Sequence, residues 1–467
     1  MSYIGKSRGF GQRHFTITES PYCPNLAIQK TEDLVRSPVT LDLIRRDVVS
    51  FKSPSPCRPE NELFDAVVRD AYNAFHIPAV KPIHLNDLPL LNMDTDSSSP
   101  GLPWREMGYR TKKDVLNDKA AFQSVRRFWH RIKEGENINP PDCAAFLRAH
   151  LVERGEQKVR AVWGYPATIS FQEACFAKPL IEGYKNQGPI AYGYETAKGG
   201  CRRITNKFCH FKEFISSDYK SFDKTIPSWL IRIAFDILCS NIDFRAYEAA
   251  GVPNSRKLHN AWLYIVDYFI NTPIRLCNGE RYRKRKGVAS GSYFTQLVDS
   301  IVNWIVTTYA IRKQNITVHK LLVMGDDALA AVSQRIDLNA FMDAAAECGM
   351  IINVKKTQVS DCLPEMKFLG YKLNNGAPVK DPKELWAALR FPERPDRTFD
   401  DFVSRAYGLM YANFGNDIEF DNCCRYFLEM PYKLNISPSM KRFLKILGID
   451  QLPAEPPSRF RLQLLRY

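Results

Sequence analysis

The sequence predicts an α/β centre set between a basic N-terminal part and a helical C-terminal part. Three observations predict it. From about Cys209 to Leu373, short apolar runs that suit strands alternate with longer runs at helical spacing, the pattern of a layered α/β unit. Beyond about Pro382 the pattern turns helical, in FDDFVSRAYGLMYANF and CCRYFLEM, until the prolines between Pro453 and Pro457. The first fifty or so residues mix Gly, Ser, Pro and basic residues, which predicts an extended arm laid over the remainder.

Composition narrows the class. The chain has 467 residues, 45% hydrophobic and 25% charged, enough apolar material for a sizeable core and too much for general disorder. It has no run of eighteen apolar residues and no apolar stretch behind the basic N-terminus, so neither a membrane span nor a secretory signal is expected. Lys and Arg number 65 against 51 Asp and Glu, a net charge of +14 that predicts a polyanionic partner such as nucleic acid. The twelve cysteines form no CxxC, and Cys201, Cys209 and His210 lack finger spacing, so reduced thiols without structural zinc are expected.

The elements follow in order. Pro54, Pro56 and Pro59 end the arm, and Glu60 to Phe75 carries an apolar stripe at helical spacing. A turn-rich segment, Asn92 to Trp104, precedes a helical stretch with Phe122, Val125 and Phe128 on one stripe. In FISSDYKSFDKTIP, Phe214 and Ile215 lead a strand-like run into Asp218, and Asp223 follows before Pro227 and the helical WLIRIAFDIL. A carboxylate at a strand's end is well placed to hold a hard cation, although on this segment alone a turn residue and a first-turn helix acid are the better explanation of the pair. In HKLLVMGDDALAAVS, apolar strands frame the turn Gly325-Asp326-Asp327. Two adjacent carboxylates there repel unless a positive charge, such as a cation shared with Asp218, compensates.

Between these lies RYRKRKGVASGSYFTQLVDSIVNWIVTTYAI. Its basic run, Arg281 to Lys286, reads as a solvated face, the alternative being contact with an RNA backbone. The Gly/Ser loop from Gly287 to Ser292 opens a long helix with apolar residues at i, i+3, i+4 and i+7. Its other face carries Thr295, Asp299 and Asn303 at four-residue steps, a polar row suited to reading a sugar or to an ordinary surface.

In this order the three features resemble motifs A, B and C of viral RNA-dependent RNA polymerases. D-x4-D is Asp218 and Asp223, SG-x3-T is Ser290, Gly291 and Thr295, and GDD is Gly325 to Asp327. ERGEQKVRAVWG resembles motif F, SSSPGLPW (Ser97 to Trp104) motif G, ECGMIINVKKT motif D and MKFLGYKL motif E. GVASGSYFTQLVDSIVN is most similar to the partitivirus polymerases of double-stranded RNA viruses, with picobirnavirus polymerases as the rival.

The resemblance implies a right hand of fingers, palm and thumb, closed by N-terminal fingertip segments. It implies arm and fingers over residues 1–208, palm over 209–238, a fingers insertion over 239–275, palm over 276–375, and thumb with tail over 376–467. Asp218, Asp326 and Asp327 would hold two Mg²⁺ ions, with Mn²⁺ able to substitute. Asp223 would accept from the ribose 2′-hydroxyl. Lys158 and Arg160, with Arg154 assisting, would clamp the triphosphate. Ser290, Thr295, Asp299 and Asn303 would complete the NTP site. Ser97, Ser98, Ser99, Gly101, Gly291 and Ser292 would contact RNA. Lys355 or Lys356 would protonate the leaving pyrophosphate. The picornavirus-like motif has Asn where this chain has Asp299, a departure shared with the partitivirus-like motif. Aromatic residues of the arm are candidates for stacking on bases.

The implied partners are an RNA template and its product duplex, NTPs and a viral capsid protein. The implied setting is a particle in the host cytoplasm, with primer-independent initiation. A non-catalytic RNA-packaging protein explains the charge but leaves the carboxylates idle. A reverse transcriptase is opposed by Asp223 and by the Gly-Asp-Asp turn.

Overall fold

The computed structural model describes residues 1–10 and 19–466. At its centre lies a four-stranded antiparallel sheet in the spatial order Gln358–Ser360, Glu213–Ser217, Asp327–Val332, Val318–Met324. Successive residues of a strand point to opposite faces, so a strand that is apolar at every position must be covered on both sides. Ile215, Leu321, Val323, Ala328 and Ala330 enter one large core. Their alternates Phe214, Leu322, Leu329 and Ala331 enter a smaller core shared with the C-terminal helices.

The Thr295–Arg312 helix packs against this sheet and against the Glu62–Ala74 and Ser228–Cys239 helices. Every residue from Leu297 to Ile311 is buried. The expected polar surface on this helix is therefore corrected. With packed elements around it, Asp299, Ser300, Asn303, Thr307 and Thr308 lie inside the protein, and two of them, Ser300 and Asn303, hold the backbone of the central hairpin.

A second sheet runs Ser2–Lys6, Glu280–Arg283, Pro273–Arg275, Cys143–Ala149, Val159–Gly164. It uses the basic run structurally, which overturns both the solvated-face and the RNA-contact expectation for Arg281, Lys284 and Lys286. Arg281 pairs with Asp142 at 2.7 Å. Lys284 is fully buried and donates to the carbonyls of Phe269, Ile270 and Gly287. Lys286 donates to the carbonyls of Ser53 and Pro54. An ammonium can be buried this way because its three donors are met by backbone oxygens.

The arm is not simply extended, since it forms helices over Asn25–Lys30 and Leu41–Val49. It bridges the two ends of the molecule. Leu34–Arg36 pairs with Leu151–Glu153, while Arg36 donates at 2.9 Å to the carbonyls of Phe391 and Pro392. Buried Arg390 reaches back to the Thr31 carbonyl at 2.7 Å. Among the arm's aromatics, Tyr3 packs on Tyr282, Phe10 on Phe146 and Tyr22 on Phe399, while Phe15 lies outside the described residues. The C-terminal region is helical as expected, through Pro382–Arg390, Phe399–Asn413, Ile418–Leu428 and Pro438–Leu447. No described helix is long and apolar enough to cross a membrane.

Candidate active site

The central sheet brings three carboxylates to one end of its strands. Asp218 follows the Glu213–Ser217 strand, and Asp326 and Asp327 occupy the turn between Val318–Met324 and Asp327–Val332. Ser217 pairs with Ala328, so Asp218 and Asp327 leave neighbouring strands side by side. Gly325 sits at φ +65°, the left-handed region that favours glycine in a two-residue turn.

The turn is held from beneath by the buried helix. Gly325 N–H donates to Ser300 Oγ at 2.9 Å, and Asn303 Nδ2 donates to the Gly325 carbonyl at 3.0 Å. Asn303 Oδ1 accepts from Thr307 Oγ1 at 3.0 Å and from Tyr219 at 3.3 Å. Asp218 is locked separately, with Asn353 Nδ2 donating to its Oδ2 at 2.7 Å and its own N–H donating to Thr357 Oγ1 at 3.1 Å.

Negative charge crowds here. Burial, then Asp326 and Asp218, pushes the Asp327 carboxyl up to about 7. Asp326 reaches solvent at the turn's tip, yet protein surrounds it on most sides, and this with Asp218 raises its carboxyl above the ordinary range. Asp223, in the first turn of the short Phe222–Thr225 helix, is raised by burial against the opposing pull of Lys224 and Arg160. Asp299 is raised well above the ordinary range, by burial and then by Asp326 and Asp223, and its Oδ1 has no hydrogen-bond partner. Crowded carboxylates of this kind call for a compensating cation, and an all-carboxylate donor set suits a hard divalent ion. Among the described residues no three such side chains already converge tightly enough to grip one, so an ion would have to draw them together.

The positive side comes from the Val159–Gly164 strand and the residue before it. Lys158 and Arg160 are exposed, and the charge of Arg160 is felt at both Asp223 and Asp326. Burial, then Arg160 and Lys356, lowers the Lys158 ammonium from its usual value. Both Lys355 and Lys356 are exposed on the turn after Asn353.

A model of the family described as viral RNA-dependent RNA polymerase matches residues 16–430. The chain belongs to this family. It is 27% identical over 362 residues to an RNA-directed RNA polymerase of White clover cryptic virus 1, covering 67% of this chain and 58% of that protein. It is 27% identical over 344 residues to the RNA-directed RNA polymerase of Cryptosporidium parvum virus 1, covering 68% and 62%. An Atkinsonella hypoxylon virus polymerase is also 27% identical, over 60% of this chain and 49% of its own length. The chain thus spans about half to three-fifths of these relatives. The expected kinship with partitivirus-like polymerases agrees with them. A solved Sicinivirus 3Dpol polymerase superposes with a TM-score of 0.69 over 95% of this chain and all of that one, at 14% identity. The right-hand polymerase fold expected from the motifs is therefore the fold observed.

With the polymerase fold in hand, the remaining expected residues fall into three groups. Some shape the loop ahead of the long helix. Ser290 is exposed and accepts from Trp163 N–H at 3.3 Å, and a Cβ on Gly291 would lie 1.9 Å from the Trp163 carbonyl, an approach only glycine permits. Thr295 Oγ1 donates to the Ala289 carbonyl at 2.8 Å, closing the loop on itself. Others shape a neighbouring segment: Ser97 is exposed, Ser98 donates to the Thr95 carbonyl at 2.6 Å, and Ser99 accepts from Gly101 N–H. Gly101, at φ +67°, packs where a Cβ would lie 2.6 Å from the Tyr165 carbonyl. A third group is committed elsewhere. Arg154 donates to the Glu32 carbonyl at 2.9 Å and so serves the arm, and Asn303 is fully buried beneath the turn.

Sequence reasoning missed several residues. Asp47 accepts from Ala161 N–H at 2.8 Å and from Lys224, tying the arm to the strand of Arg160 and the helix of Asp223. Nothing local marks it. Asn353 and Thr357 lie within the quoted ECGMIINVKKT, where only the lysines drew attention.

Proposed function

We propose that this chain is an RNA-directed RNA polymerase that replicates and transcribes a double-stranded RNA viral genome, joining NTPs to an RNA 3′-hydroxyl. The observation that carries the reading is the gathering of Asp218, Asp326 and Asp327 at one end of the central strands, with Asp223 beside them and Lys158 and Arg160 opposite. Asp218, Asp326 and Asp327 would hold two Mg²⁺ ions, or Mn²⁺ in their place. The bound ions would neutralise charge on the attacking and leaving oxygens. Lys158 and Arg160 bind the triphosphate through charge-assisted contacts. Asp223, partly buried, accepts from the incoming 2′-hydroxyl and so favours ribose. Lys356, whose charge reaches Lys158, is the better placed of the two lysines to give a proton to pyrophosphate. The Ser290–Ser292 loop and the Ser97–Gly101 segment contact the template. Initiation without a primer, a capsid-protein partner and a site of action in a cytoplasmic particle complete the reading.

The test is incorporation of labelled NTPs on a defined, unprimed single-stranded RNA with Mg²⁺, beside a dNTP arm. The expected result is template-length RNA from NTPs alone. RNA binding without product on any template, or product from dNTPs, overturns the reading in favour of a binding protein or a reverse transcriptase.

A further inference from the structure

The Thr295–Arg312 helix has no side-chain cap of its own. The turn that leads into it, Ser292 to Phe294, is instead held by a residue of a different helix. Glu173, fully buried on the Ala167–Tyr184 helix, uses both carboxylate oxygens. Its Oε1 accepts from Ser292 Oγ at 2.8 Å and its Oε2 from Tyr293 N–H at 3.0 Å. Ser292 Oγ in turn accepts from Phe294 N–H at 3.0 Å. A carboxylate in this place also meets the positive end of the helix dipole. Burial pushes the Glu173 carboxyl up to about 7, against its bonds to Tyr293 and Ser292 and the charge of Lys112, itself 5% exposed with its ammonium 5.9 Å from the Tyr293 ring. Tyr293 bonds through its hydroxyl to Thr95, next to the Ser97–Gly101 segment.

This helix carries two parts of the site. Ahead of its first turn is the Ser290–Ser292 loop, pressed on Trp163. Farther along, Ser300 and Asn303 hold both backbone groups of Gly325. A displacement of the helix start would therefore move the loop, the Asp299 carboxylate and the support of the Gly325–Asp327 turn together.

We propose that Glu173 is a positioning residue of the polymerase, an external cap that sets where the loop and the long helix stand and so tunes selection of the templated ribonucleotide. It acts through Ser292 and Tyr293 and touches no substrate. The inference rests on the polymerase reading above.

The experiment compares Glu173→Ala, Glu173→Gln and Ser292→Ala with wild type. Steady-state single-nucleotide incorporation is measured for NTP and dNTP, per active site, on one RNA template. Hydrogen exchange of the 290–296 amides is followed in parallel. A Gln at 173 keeps an acceptor for Tyr293 N–H and a polar contact to Ser292, so it should stay near wild type. Glu173→Ala removes both acceptors and leaves the buried Tyr293 N–H unmet. Its KM for NTP should rise, and its preference for NTP over dNTP should fall, by about ten- to a hundredfold, the scale of a buried donor left without a partner. Exchange should quicken at 290–296 while the Ala167–Tyr184 helix stays protected. Ser292→Ala should move the same quantities less. Faster exchange with unchanged KM and sugar preference overturns the proposal, as does Glu173→Gln failing as badly as Glu173→Ala. If Glu173→Ala does not fold, the Gln and Ser292 variants decide by the same readouts. A wild-type chain that incorporates no nucleotide sinks the polymerase reading instead, and the exchange arm then judges the cap alone.

Discussion

Substituting Asn303 by leucine separates two accounts of the long helix. The residue is fully buried, and its amide donates at 3.0 Å to the carbonyl of Gly325, the residue before Asp326. Leucine fills a similar volume and removes that donor, leaving the Gly325 carbonyl buried without a partner. Tyr219 keeps Thr307 at 3.1 Å, so one group is orphaned rather than two. An unmet buried carbonyl costs about 1–3 kcal/mol. If that cost falls on holding the turn in its working shape, kcat drops about 5- to 150-fold at about 1.4 kcal/mol per decade. Because Asn303 lies beneath the turn, KM for NTP should change little. Single-nucleotide incorporation under saturating template, with kcat and KM separated, is the assay. A raised KM with unchanged kcat would refute the reasoning and return Asn303 to the nucleotide site where the sequence motif places it.

Other outcomes follow from the same geometry. Asn353→Ala frees Asp218 Oδ2 from its 2.7 Å partner, and Mg²⁺ titration of incorporation should show lower kcat and a raised metal requirement, with RNA binding unchanged. Asp223→Ala should chiefly relax rejection of dNTPs; full rejection by the variant would remove its assigned role. Arg390→Ala cuts the bridge to Thr31 and should cost about 2–4 kcal/mol, seen as a lower Tm and faster proteolysis of the arm ahead of the core. Burial lowers Lys284 to about 7, so between about 7 and its usual value near 10 the unfolded chain holds a proton that the folded chain lacks, and this group's contribution to stability rises with pH. Lys284→Met should be less stable at pH 9 and should lose that rise, read as the change in Tm between pH 7 and pH 9.

The parts legible in sequence were those set by neighbours along the chain. Apolar runs before Asp218 and on both sides of Gly325 specify strands by burial alone, and a turn of two residues with glycine at its head specifies the hairpin. The order of the carboxylates then pointed to the site. Polar residues were misread where a distant element supplies the partner. Asp299 and Asn303 resemble the wet face of a helix until a turn more than twenty residues on, Gly325 to Asp327, is placed over Asn303. Lys284 resembles a surface cation until the carbonyls of Phe269 and Ile270 close on it. Asp47 and Glu173 have no local signal, because their partners at Ala161 and Tyr293 lie 114 and 120 residues away.

The central claim is that Asp218, Asp326 and Asp327 act together as the seat of metal-assisted nucleotide joining. Its most direct test is Asp326→Ala against wild type in Mg²⁺-dependent synthesis on a heteropolymeric RNA template, with RNA affinity measured on the same preparations. The account predicts that synthesis vanishes while RNA affinity holds. Synthesis that persists in the variant at a rate near wild type would contradict it.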